Sequence, residues 1–121
     1  RAMFGPAGTL YVYRSYGVHW CMNVVVDAPG VPHAVLLRGG EPIAGKDLMA
    51  ARRGREQNLT DGPGKLCQAL GVTGLMDGHD LRSRPLWLEP GSGLGKRRIV
   101  RTPRIGISKA TQQEWRYVVV G

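Results

Sequence analysis

A tyrosine occupies the tip of a predicted β-hairpin, where water would surround its large ring. Residues 9–23, TLYVYRSYGVHWCMN, contain two strand-like runs on either side of Tyr16 and Gly17. Side chains inserted between stacked bases unstack them and bend the duplex, and an aromatic ring on a base contributes roughly 1–3 kcal/mol. Tyr16 is therefore a candidate wedge for nucleic acid. A ring that lies over a neighbouring strand, or an incidental surface position, is the alternative.

A second candidate for phosphate chemistry is the segment DGPGKLCQAL at residues 61–70. Pro63 near its start and Gly71 after its end predict a short helix. A helix N-terminus offers free N–H groups and partial positive charge to a phosphate. Lys65 falls in the first turn, where its charge opposes the helix dipole unless an external anion binds. A solvated lysine beside an ordinary turn accounts for the same residues equally well.

Arg38 and Asn23 are polar residues in otherwise apolar surroundings. Arg38 closes the run AVLLR, so it lies either at a strand end that meets solvent or in a polar site. Asn23 lies within a predicted strand, where asparagine is disfavoured, on the same face as Tyr13; a satisfied edge position is the alternative. The nine carboxylates form no recognisable catalytic pattern. The residues alone therefore predict binding to nucleic acid and no particular reaction.

The two strands around the tip alternate with period two, which predicts an antiparallel hairpin with one buried face. Opposite residues in such a pair share a face. Pairing Val12 with Trp20 and Leu10 with Met22 puts the apolar positions together, and it places Tyr13 opposite His19 and Tyr11 opposite Cys21. This register leaves residues 15–17 as a three-residue loop that ends in Gly17. The second face, with Tyr11, Tyr13, His19 and Asn23, could line a cleft.

The rest of the chain predicts a mixed α+β fold. The expected elements are a central strand at 34–38, a helix at 41–54 from Pro42 to Gly54, a helix at 63–71, strands at 86–89, 104–107 and 115–120, and a loop at 90–98. We predict a single domain over residues 1–121 with an antiparallel β core, short helices and a protruding β-hairpin.

The charge of the chain favours a polyanionic partner. Seventeen Lys and Arg against nine Asp and Glu give a net charge of +8, which suits DNA, RNA or an anionic membrane surface. A basic surface kept for solubility and an arginine-rich codon bias are the alternatives. No apolar run reaches the roughly 18 residues of a membrane span. Residues 1–13 lack the charged and apolar regions of a signal peptide.

The cysteines and histidines lack metal-ligand spacing. We expect Cys21, in a strand, and Cys67, in a helix, to be buried thiols rather than a disulfide, which fits a reducing cytoplasm. His19, His33 and His79 are scattered, with no cysteine pair beside them. The sequence therefore predicts no metal site.

Four segments together resemble the alkyladenine (3-methyladenine) DNA glycosylase family. They are RAMFGPAGTLYVYRSYGVHWCMN, VLLRGGEPI, DGPGKLCQALGV and TPRIGI, in the family's order over nearly all 121 residues. Each segment alone is a weak signal, whereas the ordered set is highly specific. The resemblance implies a single-domain mixed α/β fold and a monofunctional enzyme without metal or cofactor. The implied partner is double-stranded DNA with damaged purines; we expect a monomer in the bacterial cytoplasm, associated with the nucleoid, or in a eukaryotic nucleus.

The resemblance also implies a reaction and a base pocket. Family members flip purines such as 3-methyladenine, 7-methylguanine, hypoxanthine and ethenoadenine into a pocket, and they hydrolyse the N-glycosidic bond with water. Tyr13 matches an aromatic that stacks on the flipped base, and Asn23 matches an asparagine that clashes with the 2-amino group of guanine. Arg38 matches an arginine that helps hold the attacking water. Val119 matches a residue whose backbone carbonyl contacts the same water.

The implied DNA contacts surround the hairpin tip. Tyr16 matches the tyrosine that replaces the flipped nucleotide, and Val18 and His19 would lie near the opposite strand. Lys65 and its turn match a helix start that contacts phosphate. One departure from the family pattern concerns the general base, a glutamate in an E-A-Y segment that is not found in this sequence. We therefore expect these residues to be a piece of a longer glycosylase. The alternative is a non-catalytic nucleic-acid-binding module.

Overall fold

The computed structural model describes residues 2–91, 98–102 and 116–120, with the backbone alone at 98, 102 and 116–120. Its contacts define two compact units, Arg1–Leu88 and Glu89–Gly121. In chain order the elements are a 3-10 turn at Ala2–Phe4, β1 at Leu10–Ser15, β2 at His19–Val25, β3 at Ala34–Leu36, α1 at Lys46–Arg53, α2 at Pro63–Leu70, a 3-10 turn at Gly74–Met76, β4 at Arg98–Thr102 and β5 at Arg116–Val120. The predicted fold class, α+β with antiparallel strands and short helices, is confirmed. The assignment of 1–121 to one domain stays a prediction.

The predicted hairpin exists, but its register is wrong by two residues. The pairs are Leu10–Val24, Tyr11–Asn23, Val12–Met22, Tyr13–Cys21, Arg14–Trp20 and Ser15–His19. The loop is consequently formed by residues 16–18. Tyr16 and Gly17 both have positive φ, 51° and 67°, and the Val18 N–H donates to the Ser15 carbonyl at 3.0 Å. Two successive left-handed residues match the strand twist of tight hairpins, and this local geometry sets the register.

A shift by two residues leaves every side chain on its predicted face, because side chains alternate with period two. The apolar face therefore packs as expected, against α2. The buried cluster contains Leu10, Val12, Met22, Leu66, Cys67, Val72 and Leu81. Each fully buried large apolar side chain contributes roughly 1.5–3 kcal/mol. The face prediction is thus confirmed, although the pairing prediction is wrong.

The sheet order is β1-β2-β3, so β2 is the central strand. The prediction that residues 34–38 form a central strand is wrong, since β3 lies at the edge of this described sheet. The other edge, β1, is held by a loop that follows the second 3-10 turn. The Asp77 carboxylate accepts the Val12 N–H at 2.8 Å, and Leu10 exchanges backbone hydrogen bonds with His79 and Gly78. These bonds fix the base of the hairpin.

The two helices differ in how well the sequence predicted them. Helix α2 begins at Pro63 and is followed by the left-handed Gly71, as predicted. Helix α1 begins at Lys46 instead of Pro42, because Gly45 has a φ of 77° and interrupts any earlier helical turn. Its predicted end before Gly54 is confirmed.

The remaining predictions have mixed outcomes. Residues 86–89 form no strand, although the Leu88 N–H donates to the Leu81 carbonyl at 2.8 Å. The predicted strand at 115–120 is confirmed for residues 116–120, which form β5. Its antiparallel partner β4 was not predicted. The predicted strand at 104–107 lies outside the described residues. Within the described ranges, no helix has the length and apolar character to cross a membrane.

Candidate nucleic-acid interface

The hairpin tip presents Tyr16 to solvent. Its side chain is 92% exposed, which rules out the alternative of a ring packed over a neighbouring strand. Its φ of 51° is uncommon for a residue other than glycine. The local sequence therefore holds a large ring away from the protein in a strained backbone position. Such strain is a reason to test whether the side chain has a function.

Val18 and His19 follow the tip and extend its exposed surface. Val18 is 64% exposed, and His19 is also exposed. His19 begins β2 and lies against the first turn of α2, where a Cβ placed on Gly64 would be 2.9 Å from the His19 Cβ. The absence of a side chain at Gly64 therefore brings the hairpin and the helix start together. The sequence placed these features separately and gave no indication of their contact.

The start of α2 has the form that the sequence predicted. No side chain caps Gly62, and Pro63 takes the first helical position. The Lys65 ammonium lies 3.2 Å from the Asp61 carboxylate, and this hydrogen bond lowers the pKa of Asp61 below its usual value. An exposed pair of this kind contributes little to stability, so an incoming phosphate can compete with Asp61 for the lysine.

Tyr13 belongs to an aromatic face behind the tip. It is 36% exposed, and its ring centroid lies 5.6 Å from that of Tyr11. Cys21 lies directly opposite in β2. Burial, and then the neighbouring Cys21 and Tyr11, raise the pKa of Tyr13, so its phenol stays neutral at physiological pH. A neutral, half-exposed ring offers a surface on which a flat apolar group can stack.

Asn23 is buried in the central strand. It is 6% exposed, and its Nδ2 donates to the Tyr11 carbonyl at 3.2 Å. The alternative interpretation was a hydrogen-bonded residue in an edge strand. It is right about the hydrogen bond and wrong about the strand, because Asn23 lies in the central strand. Its amide tethers β2 to β1 at the residue two positions before Tyr13.

Arg38 follows the end of β3. The Leu37 N–H donates to the Met22 carbonyl at 3.0 Å, which continues the pairing of β3 with β2 by one residue. Arg38 is the next residue along the chain, just beyond the last backbone contact between β3 and β2. Arg38 is half-buried, and it forms no ion pair or side-chain hydrogen bond with the described residues. Its guanidinium donors are available to a ligand or to other residues.

Val119 lies in β5 opposite Ile99, within the second unit. Its implied contact with a water near Arg38 stays a prediction. Cys21 and Cys67 are free and buried, as expected. Burial is the main cause that raises the pKa of Cys67 to about 11. In the described ranges, no three His, Cys, Asp or Glu side chains are grouped to hold a metal ion.

Sequence reasoning missed one feature of this surface. The Arg14 guanidinium carbon lies 5.0 Å from the centroid of the Trp20 ring, and the two residues are a cross-strand pair. The correct register was needed to find it, because the predicted register paired Trp20 with Val12. The signal that could have found the register is the Tyr16-Gly17 pair, if both are given the left-handed conformation.

Comparison with known proteins gives a consistent result. The family model described as methylpurine-DNA glycosylase matches residues 1–121. A protein of Agrobacterium fabrum named "Putative 3-methyladenine DNA glycosylase" is 52% identical, over 100% of this chain and 61% of its own length. Proteins with the same name from Methanoculleus marisnigri and Rubrobacter xylanophilus are 48% and 45% identical, over 100% of this chain and 66% and 64% of their lengths. The chain thus spans less than two thirds of each of these relatives.

Proposed function

The chain belongs to the methylpurine-DNA glycosylase family, and on that premise we propose that it acts in base-excision repair. In this proposal the protein flips alkylated or deaminated purines out of duplex DNA and hydrolyses their N-glycosidic bonds with water. The observation that carries the proposal is the 92% exposed Tyr16, held at the tip of a hairpin whose base is fixed. A ring in this position can occupy the space that an extruded nucleotide leaves.

The energetics of that exchange are favourable for damaged bases. Flipping a nucleotide costs a few kcal/mol, and least for a damaged or mismatched base. Stacking of Tyr16 on the neighbouring bases returns about 1–3 kcal/mol. The balance therefore depends on the stability of the base pair that is broken, which gives a first selection for lesions.

The aromatic face behind the tip is the proposed base pocket. Tyr13 supplies a neutral stacking surface, and Asn23 supplies a rigid amide whose position is fixed by its bond to the Tyr11 carbonyl. We assign to Asn23 the exclusion of the guanine 2-amino group. A group that is clamped by a backbone hydrogen bond cannot move aside at low cost, so steric exclusion by it is effective.

The chemical step requires a water that attacks C1′ as the bond to the base breaks. Arg38, which has no ion pair among the described residues, would orient this water; a role for the Val119 carbonyl is implied by the family resemblance alone. Arg38 cannot accept the proton, since its guanidinium stays protonated. The proton acceptor in this proposal is the glutamate of the family's E-A-Y segment, which is not among these 121 residues. Purines methylated at N3 or N7 are already cationic, so they leave without strong acid catalysis, whereas a neutral base such as hypoxanthine or ethenoadenine must gain a proton as it leaves.

The DNA contacts in the proposal come from the start of α2 with Lys65, which would bind phosphate, and from Val18 and His19, which would lie near the opposite strand. These residues lie on or beside the hairpin, so that DNA bound by them would meet Tyr16. The net charge of +8 adds a long-range attraction to the duplex.

The test is release of a base from a defined duplex. The purified full-length protein, with the glutamate that the proposal requires, is incubated with duplexes that contain one hypoxanthine, one ethenoadenine or only normal bases, and with methylated DNA as a source of 3-methyladenine. Free base and abasic sites are quantified, with EDTA present in a parallel series. We expect release from at least one damaged duplex, at an unchanged rate in EDTA. Tight binding to DNA without release from any substrate would favour the alternative of a non-catalytic nucleic-acid-binding module.

A further inference from the structure

An exposed arginine on the stalk of the hairpin lies over an aromatic ring. Arg14 and Trp20 are opposite each other in β1 and β2, and the Arg14 guanidinium carbon lies 5.0 Å from the Trp20 ring centroid. Arg14 is exposed and forms no ion pair with the described residues. An arginine side chain on the surface normally samples many rotamers, and stacking on an aromatic face restricts them.

The Trp20 ring is itself held in place. A Cβ placed on Gly74 would lie 2.7 Å from Trp20 Cη2 and 2.8 Å from Cζ3, so the ring lies directly on this glycine of the second 3-10 turn. Trp20 also packs against the buried cluster. The Trp20 ring is therefore held in place by the residues around it. The Arg14 guanidinium thus lies on a ring whose movement is restricted.

The stacking leaves the hydrogen-bonding groups of Arg14 free. Contact with an aromatic ring uses the flat face of the guanidinium, whereas its five N–H donors lie in the plane and point outward. A planar fork of this kind binds the two oxygens of a phosphate bidentately. Trp20 thus orients a phosphate-binding group without competing for its donors.

The position of Arg14 relative to Tyr16 defines which phosphate it can reach. Arg14 precedes Tyr16 by two residues, which is about 6–7 Å along a strand. Successive nucleotides of one DNA strand are spaced by about 3.4 Å along the helix axis. When Tyr16 enters a duplex, an arginine this close to the tip lies near the nucleotides that flank the entry point.

We propose that Arg14, oriented by Trp20 on Gly74, is a DNA-backbone contact that holds a phosphodiester beside the gap filled by Tyr16. The proposal rests on the function proposed above, and it adds a site that anchors the hairpin in its inserted position. Bidentate binding to Arg14 makes insertion of Tyr16 more favourable. The Arg14 side chain is already restricted in the free protein, so it loses less conformational entropy when it binds the phosphate.

The experiment compares Arg14→Met and Arg14→Lys with Arg55→Met. Methionine keeps an apolar stem on Trp20 and removes every donor; lysine keeps the charge and loses the fork. Arg55 is exposed and lies outside the hairpin, after α1, so Arg55→Met removes the same formal charge elsewhere. Affinity of the purified proteins for a duplex with and without a lesion is measured by fluorescence anisotropy over a range of KCl concentrations. Thermal melts report whether each variant is folded.

We expect Arg14→Met to weaken binding about tenfold and to reduce the slope of log affinity against log salt by about 0.9, the value for one phosphate contact. Arg14→Lys should keep the slope and lose affinity only about threefold, since one charge remains but bidentate geometry is lost. Arg55→Met should change affinity by less than about twofold.

Two results would overturn the inference while leaving the proposed function intact. The first is that the wild type binds DNA and Arg14→Met has the same affinity and the same salt slope. The second is that Arg55→Met loses as much affinity as Arg14→Met, which would show that Arg14 contributes only its charge. A change in melting temperature without a change in slope would likewise make Arg14 a structural brace and overturn the contact. If the wild type bound no duplex at all, the proposed function would fail together with this inference.

Discussion

At the scale of single residues, Tyr16 adopts a backbone conformation that glycine or asparagine adopts at a lower cost in free energy. Its φ of 51° lies in the left-handed region, which costs roughly 1–2 kcal/mol for an ordinary L-residue and less for asparagine. The 92% exposed ring makes no compensating contact that would bury it. Stability alone therefore does not explain a tyrosine here, whereas the proposed insertion into DNA would.

Replacement of Tyr16 by asparagine should separate stability from function. We expect Tyr16→Asn to raise the free energy of unfolding by up to about 1 kcal/mol, measured by urea denaturation. The same variant should lose affinity for a lesion duplex while its affinity for undamaged DNA at matched salt changes little. Tyr16→Phe, which keeps the ring, serves as the control and should retain lesion binding. A loss of equal size on lesion and undamaged DNA would argue against a wedge.

Asn23 has a structural role that can be measured independently of its proposed role in base selection. Its Nδ2 bond to the Tyr11 carbonyl is 3.2 Å long and lies in a buried position. We expect Asn23→Ala to lower the free energy of unfolding by about 1–3 kcal/mol, because the carbonyl would lose a partner. The same variant should release more unmodified guanine than the wild type. A stable variant with unchanged guanine release would contradict both roles.

At the scale of elements, the hairpin shows how far the sequence could lead. Alternation with period two correctly placed Leu10, Val12 and Met22 on the buried face. It could not select among registers that differ by two residues, because each keeps every residue on its face. The choice depends on the backbone of Tyr16 and Gly17, both left-handed, and a tyrosine gives little signal for that conformation.

The candidate site was predictable to a similar degree. Period two indicated Tyr13 and Asn23, which the register places on the same face of β1 and β2, and the family resemblance indicated Arg38, which lies just beyond β3; the roles of these residues stay predictions. The Arg14–Trp20 stack was not predictable without the register. The contact between Gly64 and His19 was not predictable either, since it joins elements that are far apart in the sequence.

That contact gives a prediction about how α2 and the hairpin are joined. A methyl group at Gly64 would lie 2.9 Å from the Cβ of His19, close to its backbone, so the two elements would have to separate. We expect Gly64→Ala to lower the free energy of unfolding by about 1–3 kcal/mol and to weaken DNA binding. Gly62→Ala is a matched control, because its methyl group would meet only the flexible Lys65 side chain at 3.5 Å. Similar behaviour of the two variants would show that the contact does not hold the helix to the hairpin.

At the scale of the whole molecule, the first unit is organised around one buried cluster that unites the hairpin and α2. Cys67 lies in that cluster and is 1% exposed. Cys21, on the other face of β2, is buried as well. A thiol in such a position is protected from reagents as long as the unit stays folded, so its titration reports on the integrity of the whole unit.

Folding stability should therefore decline at alkaline pH. Burial is the largest cause that raises the pKa of Cys67 from 9.0 to about 11, so the folded protein holds this proton more tightly than the unfolded chain does. The resulting contribution to stability is complete below pH 9.0 and is lost as the pH rises through about 11. The measurement is the free energy of unfolding against pH for the wild type and Cys67→Ala. We expect the difference between the two profiles to shrink across this window, since groups that titrate in both proteins cancel. Parallel profiles, or rapid reaction of Cys67 with a thiol reagent in the folded protein, would show that the thiol is not buried in the core.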